Sequence, residues 1–160
     1  MVKRIIGIDN GVSGAITILW EDKILHCLMP VKKCLDYTKK KNWLNRVDVH
    51  AVKKLLSKDS NEASLAVIER PMVNPARWKA TMSAIRCLEA TLIILEDLQI
   101  PYRFIDSKEW QKVMLPSGLH KEELKEASCQ VAKRIFPTLE FKKEGADSLL
   151  IAEYAKKNLS

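Results

Sequence analysis

Four carboxylates sit where acids are costly unless they serve a purpose. Asp9 closes the apolar run Arg4-Ile5-Ile6-Gly7-Ile8, and Glu69 closes a second, Leu65-Ala66-Val67-Ile68. Further on, Glu144 and Asp147 stand three residues apart at the head of an amphipathic segment. A buried carboxylate is strongly unfavourable without a compensating partner. Two strand-end acids and an i, i+3 acid pair therefore predict a carboxylate cluster built for divalent metal, as in a metal-dependent nuclease. The four carry a combined charge of about −4, which two Mg²⁺ ions neutralise. Two ions about 3.5–4 Å apart can clamp the attacking and leaving oxygens of an in-line phosphoryl displacement. Oxygen-only ligands select Mg²⁺, with Mn²⁺ able to substitute, over zinc.

The elements that must position these acids follow from the apolar periodicity. Residues 3–9, 14–20 and 24–29 read as three strands joined by short turns, which favours an antiparallel meander. Asp48 is placed to cap a helix over 49–57, ahead of the polar turn Lys58-Asp59-Ser60-Asn61. Strand four is 65–69, and Pro71 and Pro75 hold the chain in a loop after it. From Arg77 to Leu98, the positions Trp78, Met82, Ile85, Leu88, Leu92, Leu95 and Leu98 mark a long amphipathic helix. A second stripe of Ala84, Cys87, Thr91 and Ile94 makes it apolar most of the way round. One face can cover the sheet, and the other predicts a homodimer interface. Residues 101–105 read as strand five, followed by a short helix from Ser107 to Met114 with Asp106 as cap. Further helices are predicted from Lys121 to Phe136 and from about Glu144 to Lys157. Asp9 and Glu69 would then stand at the carboxyl ends of strands, where open α/β sheets place their sites.

At 160 residues the chain is expected to form one domain, residues 1–160, with a proper core. No leader pattern is expected at its start, and no apolar run approaches the roughly 20 residues that span a bilayer. A cytoplasmic protein without membrane contact is therefore predicted. Cys27, Cys34, Cys87 and Cys129 lack metal-ligand spacing and read as reduced thiols. His26, His50 and His120 are not grouped as a nucleophile–base pair, so no catalytic histidine is assigned. The net charge of +7 fits a polyanionic partner. Between Lys32 and Arg46, Lys32, Lys33, Lys39, Lys40, Lys41 and Arg46 face a single acid, Asp36, with Tyr37 and Trp43 interleaved. This segment reads as a basic loop suited to phosphate contact and stacking. Arg70 and Arg77 flank the loop after strand four and are candidates for backbone phosphates. A phosphate-cradling ATPase opening around Gly11 and Gly14 is disfavoured, because no P-loop lysine pattern follows.

Three stretches carry a resemblance: Ile6-Gly7-Ile8-Asp9-Asn10-Gly11 with Ser13-Gly14-Ala15, Val67-Ile68-Glu69-Arg70-Pro71, and Gly145-Ala146-Asp147-Ser148-Leu149-Leu150-Ile151-Ala152. In this order and at these distances the chain resembles the RuvC-family Holliday junction resolvases of the RNase H-like (retroviral integrase) superfamily. Weaker similarity runs through Ser107-Lys108-Glu109-Trp110-Gln111-Lys112. The resemblance implies an α/β RNase H-like fold, a five-stranded mixed sheet of a three-strand antiparallel meander plus parallel strands, flanked by helices. It implies that Asp9, Glu69, Glu144 and Asp147 are the metal carboxylates of a homodimer that makes paired nicks in branched DNA, the four-way junction. Lys112 and Lys121 lie near motif-matched positions and are candidates for holding the scissile strand. Asn10 replaces the family's proline, Glu144 stands where Asp or His is common, and Met72 falls at the position of an aromatic wedge. The Lys32–Arg46 insertion is similar to those of phage and chloroplast members. Broader debranching activity, RNase H-type hydrolysis of RNA–DNA hybrids and non-catalytic junction binding are the alternatives.

Overall fold

In the computed structural model, which describes residues 2–58 and 63–159, a five-stranded sheet separates two helical layers. Its strands are β1 (Arg4–Asp9), β2 (Ala15–Leu19), β3 (Ile24–Leu28), β6 (Ser64–Glu69) and β7 (Tyr102–Ile105), in the order β3-β2-β1-β6-β7. The first three form the expected antiparallel meander, and β6 and β7 run parallel to β1. The predicted α/β architecture is the one observed. Residues 59–61 of the expected polar turn lie outside the described residues.

Alternation along the strands divides the core. Ile6 and Ile8 of β1, with Ala66 and Ile68 of β6, pack under helices α1 (Val49–Leu56) and α2 (Trp78–Asp97). Ile5, Leu65 and Val67 point the other way, into a cluster with α4 (Lys121–Ile135) and α5 (Ala146–Asn158). Side chains two apart share a face, so Asp9 and Glu69 both face the α5 layer. Gly7 lets α5 lie directly on β1, because a Cβ there would come within 2.5 Å of Ala152 N and Ser148 O.

Three expectations change. The Lys32–Arg46 segment is not a loop: β4 (Val31–Leu35) and β5 (Trp43–Val47) pair antiparallel as a separate hairpin. The final helix starts at Ala146, and Glu144 lies on a 3₁₀ turn before it, Lys143–Gly145. Asp106 occupies the N-cap position of α3 (Ser107–Met114), yet its side chain makes no capping bond and faces Arg70 instead. On α2, Cys87, Thr91, Ile94 and Leu95 are buried toward the sheet, while Trp78, Ile85 and Ile93 stay exposed. The four cysteines are free thiols. Among the described residues, no helix is long and apolar enough to cross a membrane.

Candidate active site

The parallel register of β1 and β6, with Ile8 beside Ile68, sets Asp9 next to Glu69 at neighbouring strand ends. The two carboxyls lie close enough for one to donate a proton to the other. Burial, then the charges of Glu69 and Asp147, hold the Asp9 carboxyl well above the usual carboxylate range. Glu69 is also raised, first by burial and against the hydrogen bond from Trp110. Like-charged carboxyls at one site cannot ionise freely together, so Asp9 keeps the proton and donates it to Glu69. Trp110, on α3 and fully buried, donates from Nε1 to Glu69 Oε1 at 3.0 Å and fixes that carboxylate.

Asp147 arrives from the first turn of α5. Its Oδ2 accepts from Lys125 Nζ at 2.7 Å, while its Oδ1 is buried without a hydrogen-bond partner. Burial lowers the pKa of Lys125, but the contact with Asp147 and the charges of Asp9 and Glu69 outweigh it and leave the ammonium raised. The helix head is seated by a relay. Thr17 Oγ1 lies 2.9 Å from His26 Nδ1 and 2.8 Å from Ser148 Oγ, which donates to Gly145 O at 3.0 Å. A Cβ on Gly145 would collide with the His26 ring, so glycine is required for the 3₁₀ turn to close on it. Burial lowers the His26 pKa, keeping the imidazole neutral near pH 7.

Asp9, Glu69 and Asp147 are thus brought together, with Lys125 among them. Glu144 is exposed on its 3₁₀ turn and is not among the leading charges that raise Asp9 or Glu69. Among the described residues, no three His, Cys, Asp or Glu side chains stand close enough to cage an ion. The donor set nonetheless fits a hard divalent cation: it is oxygen-only, burial and mutual repulsion hold Asp9 and Glu69 above their ordinary pKa values, and one carboxylate oxygen of Asp147 is orphaned.

Beside the acids lies a cleft lined by Asn10, Glu69, Arg70, Met72, Arg77 and Ser107. It gathers three of the residues expected to touch DNA: Arg70, Met72 and Arg77 are all solvent-exposed there. Lys112 on α3 and Lys121, the first residue of α4, are exposed. The lysine that contacts the acids is Lys125, one turn after Lys121. Its only trace in the sequence is that i, i+4 spacing. Lys39, Lys40 and Lys41 occupy the tip of the β4–β5 hairpin.

No protein-family model matches the sequence, and no curated protein does. Solved structures do. RuvC of Thermus thermophilus in complex with a Holliday junction substrate matches with a TM-score of 0.62 at 13% identity, over 96% of this chain and 94% of that one. The fold is RuvC-like. Thermus thermophilus RuvC in a second structure matches with a TM-score of 0.59 at 14% identity, over 96% and 95% of the two chains. At this identity the RuvC-like fold is what the two chains share.

The Lys125–Asp147 pair tests the electrostatics of the site. Its side chains are 43% and 18% exposed, so solvent screens it and its net worth is about 1 kcal/mol. Lys125→Gln should lower the melting temperature of the metal-free protein by about 2–4 °C. Mg²⁺ should close that gap by supplying the missing positive charge. Equal destabilisation with and without Mg²⁺, read by thermal melts, would mean that the lysine and the ion do not share one field.

Proposed function

We propose that this protein is a divalent-metal-dependent endodeoxyribonuclease that resolves four-way DNA junctions by paired, symmetric nicks. The observation that carries this reading is the juxtaposition of Asp9 and Glu69 at neighbouring strand ends with Asp147 at the head of α5, on a RuvC-like scaffold. Asp9, Glu69 and Asp147 would hold the ions, with Glu144, exposed on the preceding turn, as a further ligand. When bound, divalent ions polarise the phosphoryl oxygens and supply a nucleophile at neutral pH. Trp110 keeps Glu69 oriented, and Lys125 neutralises Asp147 until the ions do. Arg70 and Arg77 hold backbone phosphates along the cleft, and Met72 offers an apolar side chain that can insert between bases. Lys112 and Lys121 approach the scissile strand. Lys39, Lys40 and Lys41 extend the contact beyond it.

Two symmetric cuts call for a two-fold protein. The outer face of α2, with Trp78, Ile85 and Ile93 exposed, supplies an apolar strip for a second copy. Ile85→Asp should yield a monomer in sedimentation velocity; wild-type protein that is itself monomeric at micromolar concentration counts against the dimer.

The test of function is cleavage of a labelled immobile four-way junction, with duplex and RNA–DNA hybrid controls, in Mg²⁺ and in EDTA. Paired nicks at the junction, in Mg²⁺ only, are expected. Cutting of the hybrid alone would move the assignment to RNase H-type work. Binding without cutting in Mg²⁺ or Mn²⁺ would overturn the nuclease reading.

A further inference from the structure

The β4–β5 hairpin packs on α2 through β5 but leaves its aromatic side chains outside the core. Val47 is its one residue in the sheet's core, while Leu35, Tyr37 and Trp43 remain exposed. Tyr37 is 90% exposed and Trp43 71% exposed, costly positions for aromatic rings without a partner. Around them stand Lys32, Lys33, Lys39, Lys40, Lys41 and Arg46, with Asp36 as the one acid of residues 31–47.

That acid is committed to the architecture of the tip. Asp36 Oδ1 accepts from Thr38 N at 3.1 Å, Thr38 Oγ1 at 2.6 Å and Asn42 N at 3.1 Å, and Asp36 N donates to Asn42 O at 2.9 Å. The aromatics directly follow the two residues of this closing pair. Lys41 sits at φ +46°, a left-handed conformation that glycine or asparagine adopts more readily. The tip is therefore pre-shaped, and it keeps a cation where backbone geometry favours another residue.

The hairpin also leaves the sheet at the active-site edge. Asp9 pairs with Ala15, and Ala15 with Leu28, so the end of β3 lies two strands, about 10 Å, from Asp9. Met29 N donates to Gly14 O beside it, and Asp48 N donates to Pro30 O to close the hairpin's root.

We propose that this hairpin is a stacking arm for unpaired DNA: Tyr37 and Trp43 take the faces of bases while the surrounding lysines hold the phosphates. Exposed aromatics between cations suit a single strand, whose bases are free to stack; in a duplex the same faces are covered. The inference deepens the junction-nuclease reading, because strands opened near a branch point would meet the arm beside the acids.

The test is binding of a short labelled oligo(dT) and of a matched duplex, by fluorescence anisotropy in EDTA, so that no cleavage is involved. Trp43→Ala and Tyr37→Ala should each weaken oligo(dT) binding about tenfold, the scale of one lost base stack, and affect the duplex less. Replacing Lys39, Lys40 and Lys41 with alanine should reduce the salt dependence of oligo(dT) binding by about two logarithmic units per decade of salt. Lys41→Gly relaxes the backbone while removing a charge, so weakened binding by this variant cannot be blamed on a melted hairpin. Wild-type oligo(dT) affinity in folded Trp43→Ala and Tyr37→Ala proteins would overturn the proposal, as would equal losses on duplex. Junction cleavage that persists alongside that result leaves the nuclease reading standing; aromatic-dependent oligo(dT) binding without any cleavage does the reverse.

Discussion

Asp9→Asn should cut junction cleavage by about 10³-fold or more, since even the outer partners of metal ligands are worth about 10–100-fold. The same substitution should make the metal-free protein more stable. Asp9 is held in the folded state against burial and against the charges of Glu69 and Asp147, and an amide removes both penalties while keeping the shape. The pH dependence follows from the direction of the shifts. Asp9 and Glu69 hold their protons to higher pH when folded than the ordinary values of 3.8 and 4.5. Where the folded state binds more protons than the unfolded one, stability falls as pH rises. The metal-free wild type should therefore lose stability from about pH 4 upward until both acids have ionised. Asp9→Asn should lose less over that window. Mg²⁺, which competes with those protons, should raise the wild-type melting temperature more at about pH 8 than at about pH 5. Thermal melts in EDTA and in Mg²⁺ across this range, with a gel-shift assay of junction binding, check every arm. An Asp9→Asn protein that melts lower in EDTA than wild type would contradict the repulsive cluster.

The placement of Asp9 beside Glu69 was legible because strand parity is written in the residues themselves. Apolar runs ending in Asp9 and Glu69 dictate parallel burial, and a period of two sets both carboxyls on one face. The basic hairpin was not legible for the converse reason. Val31-Lys32-Lys33-Cys34-Leu35 and Trp43-Leu44-Asn45-Arg46-Val47 are largely exposed, so burial does not impress alternation on them. Their pairing is set by cross-strand hydrogen bonds and by Asp36 at the tip. Lys125 and Trp110 were missed because their roles are tertiary. Each lies on an amphipathic helix whose docking angle decides which residue meets the site. The head of α5 was displaced by two residues for a similar reason: the contact of Gly145 with His26, a residue far away in the sequence, decides where the helix begins.

Gly7→Ala should damage both the fold and the chemistry. The added methyl would stand 2.5 Å from Ala152 N, 2.5 Å from Ser148 O and 2.7 Å from Ala152 Cβ. Two of these three are backbone atoms of α5, which cannot rotate away, so the helix itself must move. That helix buries eight side chains, from Ala146 to Ala155, against the sheet and α4. Overpacking a well-filled core typically costs about 1–3 kcal/mol. With backbone on the receiving side, the upper end of that range or beyond is expected here. A loss of about 3 kcal/mol lowers the melting temperature by roughly 6–12 °C for a chain of this size. The chemistry should suffer separately, because α5 also carries Asp147. A shift of about 1 Å at a reacting centre can cost about 10²-fold in rate, so folded Gly7→Ala protein should cleave at least that much more slowly at temperatures well below its melt. Ala152→Gly in the same chain removes only the Cβ contact and leaves both backbone clashes, so it should restore only a fraction of the stability. A Gly7→Ala protein that melts with the wild type and cleaves normally would mean that α5 does not lie on β1 at this distance.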